Sequence, residues 1–180
     1  LWGALLAIVV LFLFLQDIRP TVVVAFSIPL SVLFAIVLMY FTNITLNMIS
    51  LSGLALGIGM LVDNSIVVIE NIYRLRGKGV SVARAAVMGA NQVAGAIFAS
   101  TLTTICVFLP MVYTSGMVSQ LLMPFAFTIS YALIASLLVA LTVVPTMGSV
   151  LLRKTKDVKQ PWFDKIKDVY GKVLELALRF

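Results

Sequence analysis

One carboxylate stands in the middle of a long apolar run. In Leu46 to Tyr73, LNMISLSGLALGIGMLVDNSIVVIENIY, the pair Asp63 and Asn64 is surrounded by about twenty apolar or small residues. A charge inside a bilayer costs on the order of a few kcal/mol, so an acid there is normally retained for transport, proton relay or pairing. Two chemistries are therefore open to Asp63: it can shed its charge by taking up a proton, or keep it by facing a cation on another helix. This chain supplies no Lys or Arg within an apolar run, so such a cation would have to come from elsewhere. Glu70 follows seven residues later, two helical turns on and near the same stripe. It could lead protons to or from the membrane edge, or snorkel to the interface beside Arg74. Asn64 and Asn71 repeat that spacing on the adjacent stripe. Further on, Ser100, Thr101, Thr103 and Thr104 could donate hydrogen bonds to a carboxylate, or spend them on the carbonyls of their own helix.

The composition says what must hold these groups. Of 180 residues, 62% are hydrophobic and 11% charged, too much apolar surface for a water-soluble fold of this size. The chain reads as an all-α integral membrane protein. The net charge of +6 points to a membrane surface and not to nucleic acid, because the basic residues gather at the ends of apolar segments. A single cysteine, Cys106, rules out an intrachain disulfide, and the absence of histidine removes imidazole bases, histidine relays and histidine metal ligands. Eight scattered methionines read as packing, so neither a metal nor an organic cofactor is expected.

Five membrane spans are expected, at about 1–15, 21–41, 46–72, 94–113 and 121–152. The first is shorter than the hydrocarbon core and starts without Met or a signal-peptide pattern, which reads as a piece cut from a longer chain. Pro29 in the second span, and Pro124 and Pro145 in the fifth, are tolerable where neighbouring helices satisfy the freed carbonyls. Ser81 is placed to cap a helix whose first part, VARAAVMGANQV, reads as an elbow at the membrane surface. After the last span, a basic junction leads into PWFDKIKDVYGKVLELALRF, an amphipathic helix expected in the interface with Trp162 and Phe163 as anchors; 153–180 forms this second unit. Gly53, Gly57 and Gly59 give the third span small faces for close helix packing. All 13 Lys and Arg lie in 16–20, 73–93 and 153–180, so the positive-inside rule makes those regions cytoplasmic.

The run GLALGIGMLVDNSIVVIENIYRLRGKG, followed by the elbow, a Thr-rich helix and a fifth span ending VVPTMGSVLL, resembles the first transmembrane repeat of resistance-nodulation-division (RND) efflux transporters. The resemblance covers essentially the whole chain, as helices two to six of that repeat plus its horizontal cytoplasmic helix. It implies a proton/substrate antiporter of the bacterial cytoplasmic membrane, exporting drugs, metals or lipophilic compounds through large external porter loops. It implies that Asp63 is the relay aspartate with H+ as the coupling ion. Multidrug members often carry a second aspartate where this chain has Asn64. A lysine of the second repeat, the family's cationic partner, and the porter domain would both lie outside this chain. The resemblance further implies a homo-oligomer, trimeric in the family. Two alternatives stand beside it: a sodium-coupled exporter with Asp63, Asn64 and Thr101 as oxygen ligands, or a non-transporting module that dimerises through its small-residue faces.

Overall fold

The computed structural model describes Phe12 and residues 17–151 of the chain. The expected first span and the expected interfacial helix of 153–180 lie outside the described residues, apart from Phe12. Within them, four α-helices are long and apolar enough to cross a membrane: α1 (Ile18–Phe41), α2 (Met48–Gly77), α3 (Val82–Val112) and α4 (Met117–Leu151).

Each helix begins and ends for a local reason. Asp17 caps α1, its side chain accepting from the Arg19 amide at 3.0 Å, and Pro20 sits in the first turn, where its missing N–H costs nothing. Pro29 lies inside α1 without ending it. The turn that follows places Asn43 at φ 56, a left-handed conformation that Asn tolerates better than most residues. Asn47 then closes a reciprocal capping box with Ser50: the Asn47 carboxamide accepts from the Ile49 and Ser50 amides, and the Ser50 hydroxyl accepts from the Asn47 amide. Beyond Gly77 the chain reverses through Gly79 at φ +82. Ser81 occupies the N-cap position of α3, but its side chain makes no capping bond, contrary to the expectation from its type.

The expected elbow is helical throughout. Residues 82–93 are continuous with the rest of α3, and Ala85, Ala86, Gly89 and Ala90 are buried. Small side chains at helical spacing let one face of this part sit against α2, while Arg84, Val87, Met88, Asn91 and Gln92 stay exposed.

The packing is that of a membrane bundle. Large apolar side chains such as Phe26, Leu33, Tyr40, Phe98, Leu102 and Val107 face outward, whereas Ser27, Ser31, Ser65, Thr101, Thr128 and Ser136 are buried. A water-soluble bundle would show the reverse; here lipid solvates the large side chains, and small or hydroxylated residues let the backbones approach. One apolar cluster joins all four helices through Val23, Val24, Val68, Ile69, Ile72, Ala85, Ile97, Ala140 and Val144. A smaller one gathers Ala35, Leu54, Ala132 and Ala135 nearer the other end of α2. The mid-helix polar residues of α2 lie between these clusters.

Candidate functional site

Helix α2 shows two faces of opposite character. Ala55, Leu56, Gly59, Asp63, Val67, Glu70 and Arg74 recur at helical spacing and are all exposed in this four-helix unit. Asn64, Ser65, Val68, Ile69, Asn71 and Ile72 are buried. The acid stripe therefore points away from α1, α3 and α4, and the amide stripe points into the bundle.

The interior stripe is held by side-chain bonds to every neighbouring helix. The Ser65 hydroxyl lies 3.0 Å from that of Ser27 on α1, both buried. The Asn64 amide reaches Thr101 Oγ1 on α3 at 3.5 Å and Ser136 Oγ on α4 at 3.4 Å. Both contacts exceed the usual range of about 2.7–3.2 Å for an N–H donor, so this bridge is weak. Two turns on, Asn71 donates to the Gly89 carbonyl at 2.8 Å and to Gln92 Oε1 at 3.1 Å, and its own carbonyl accepts from Arg74 Nη2 at 2.7 Å. Two short bonds across to α3, and a third within α2 from the Arg74 guanidinium that orients the Asn71 carboxamide, make this the firm junction between α2 and α3.

The remaining predicted residues divide. Ser100, Thr103 and Thr104 donate to their own helix, to the carbonyls of Ile97, Ala99 and Ser100. Of that hydroxyl group only Thr101 is buried and reached from α2. Gly53 and Gly57 face α4: a Cβ on Gly53 would come within 3.0 Å of the Phe125 carbonyl oxygen, and one on Gly57 within 2.7 Å of Ala132 Cβ. Gly59 is different, since a Cβ there would meet nothing within 4 Å. It lies on the exposed stripe with Asp63, one turn away. Arg74, offered as the neighbour of Glu70, is engaged by Asn71. Of the oxygens named for a sodium site, those of Asn64 and Thr101 lie in the interior while Asp63 is exposed.

Five contributors escaped sequence reasoning: Ser27, Ser65, Gly89, Gln92 and Ser136. Ser65 directly follows Asn64, and a polar residue this close to an intramembrane acid is the signal that could have found it. Gly89 had no such signal. Its role is visible only in the packed pair, where an added Cβ would lie 2.8 Å from Ile72 Cγ1 and 3.1 Å from the Ile72 Cα and N.

Comparison with known proteins places this geometry. The model of the AcrB/AcrD/AcrF family matches residues 1–180. The chain is 40% identical over 191 residues to the swarming motility protein SwrC of Bacillus subtilis (strain 168), covering 99% of the chain and 18% of that protein. It is 38% identical over 155 residues to the multidrug resistance protein MdtC of Escherichia coli (strain K12), covering 86% of the chain and 15% of the relative. MdtC of Salmonella arizonae (strain ATCC BAA-731 / CDC346-86 / RSK2980) is similar at 37% over 156 residues, 87% of the chain and 15% of the relative. The chain thus spans less than a fifth of the length of these relatives.

Proposed function

The chain belongs to the AcrB/AcrD/AcrF family of RND efflux transporters, and on that footing we propose that it is the proton-relay part of a proton/substrate antiporter. One observation carries the reading: Asp63, the mid-span acid, lies on the face of α2 that the other three helices leave open. A second transmembrane repeat fits that face, with its lysine opposite Asp63 and Gly59 leaving room for close approach. Residues 16–20, 73–93 and 153–180 face the cytoplasm of a bacterium, so α2 runs from outside to inside.

Asp63 takes a proton from the outer side and loses its charge, which weakens its attraction to the cation opposite. Helix α2 then changes position against its neighbours, and release of the proton to the cytoplasm reverses the change. The membrane potential contributes about 2.3 kcal/mol per charge per 100 mV. Glu70, on the same exposed stripe nearer the basic end, hands the proton on. Asn64, turned into the bundle, keeps neutral the position where multidrug members often carry a second acid. External porter loops choose the substrate, among drugs, metals or lipophilic compounds, and the working assembly is a trimer. The multidrug name of the MdtC relatives supports drug export.

The test is export of a fluorescent drug from cells carrying the complete transporter. Export collapsed by a protonophore and indifferent to replacing sodium with potassium is the expected result. Export that follows sodium and survives the protonophore refutes proton coupling.

A further inference from the structure

We propose that Asn71 and Gly89 form a fulcrum about which α2 swings, and that the Asp63 half of the helix moves by rotation about this point and not by sliding along its axis. The inference rests on the reading of Asp63 as the proton-binding group. It follows from how unevenly α2 is held along its length. At Asn71 the helix is fixed to α3 by bonds of 2.8 and 3.1 Å, with Arg74 closing the third side at 2.7 Å. One residue on, Ile72 presses its backbone against Gly89 so closely that a Cβ would stand 3.1 Å from the Ile72 Cα and N. Axial sliding would break all of these contacts at once. Seven residues from Asn71, Asn64 offers only contacts of 3.4 and 3.5 Å to α4 and α3, and the neighbouring Ser65 is tied to α1 by one hydroxyl–hydroxyl bond of 3.0 Å, which side-chain rotation can keep through a small swing. Beyond that, α2 meets α4 through Gly53 and Gly57, which have no side chains to interlock with Phe125, Thr128 or Ala132. Such a surface resists separation and permits lateral movement.

Within the four described helices, charge does not pin the moving half. The charged residues of the neighbouring helices are Arg19 in the first turn of α1 and Arg84 in the first turn of α3, and α4 has none. Their other titratable side chains are Tyr40 on α1, Cys106 on α3 and Tyr131 on α4. On α2 itself, Glu70 and Arg74 lie on the Asp63 face toward the fixed end. Asp63 stands about 12 Å along the helix from Asn71 at a rise of about 1.5 Å per residue, so a swing of about 10° displaces it by about 2 Å. Asn71 is thus a positioning residue, acting through the place it gives Asp63.

The experiment measures two distances in the complete transporter, with Cys106 replaced by Ser and spin labels on paired cysteines. One pair, Val67 with Met88, lies beside the fulcrum without replacing any of its bonding groups; the other, Leu56 with Leu109, reports the far ends of α2 and α3. All four positions are exposed in the four-helix unit. Between acidic and alkaline buffer the 56–109 distance is expected to shift by a few ångström while 67–88 shifts by about 1 Å or less, as its shorter lever arm requires. Asp63→Asn abolishes the shift, and Asn71→Ala makes the 67–88 distance move as far as 56–109, which a merely structural Asn71 would not do. Equal movement of both pairs in the parent, or movement of neither, overturns the fulcrum. Export that survives Asp63→Asn refutes the proton-relay reading itself, whatever the distances show.

Discussion

Asn64 and Asn71 are one residue type, seven apart on one helix, and the bundle loads them unequally. Removing the Asn71 carboxamide gives up three short hydrogen bonds, one of them from a guanidinium, so Asn71→Ala is expected to lower stability by about 1–3 kcal/mol. Asn64→Ala gives up only two long contacts and is expected to cost less than about 1 kcal/mol. Thermal unfolding of the two variants in one detergent checks this, and an equal loss contradicts it. The glycines divide in the same way. A methyl on Gly57 lands on Ala132, and Gly57→Ala is expected to cost about 1–3 kcal/mol through forced separation of α2 and α4. Gly59→Ala meets open space and is expected to leave the melting temperature of this four-helix unit unchanged or slightly raised. The sequence singled out Asp63, Asn64, Asn71 and Thr101, because polar groups in an apolar run announce themselves. It could not tell the two asparagines apart, since hydrogen-bond length depends on where α3 and α4 bring their partners.

At the scale of elements, hydropathy and loop composition marked the helices well and their junctions less well. The apolar runs expected at 21–41, 46–72 and 121–152 became α1, α2 and α4, with ends moved by a few residues where Asp17 and Asn47 supply caps. The fourth begins earlier in the structure, because VARAAVMGANQV is continuous with it, and its alanines and Gly89 are small where α2 lies against them, a packing reason that polarity averaged over a window does not show. Here Gly89→Ala is the informative change. Its Cβ would collide with Ile72, where the side chain can yield but the backbone atoms cannot. The expected result is a loss of about 1–3 kcal/mol and weaker thiol crosslinking between cysteines at 74 and 92; retained crosslinking would show that the two helices can absorb a methyl.

The four described helices form a bundle that is filled on one side of α2 and leaves its other side uncovered. Its interior is closed by small residues, hydroxyls and two asparagines, while α2 presents Gly59, Asp63 and Glu70 on its exposed face. An acid on an open face does little alone, and the proposed partner of Asp63 is the lysine of a second transmembrane repeat. The central claim is that the proton taken up by Asp63 is what drives export, and reconstituted vesicles test it most directly. The complete transporter and its Asp63→Asn variant, both shown to be folded by circular dichroism, are given an imposed proton gradient while substrate movement and internal pH are followed together. The account predicts coupled proton and substrate flux in the parent and neither in Asp63→Asn; gradient-driven transport by the variant at the parent's rate would contradict it.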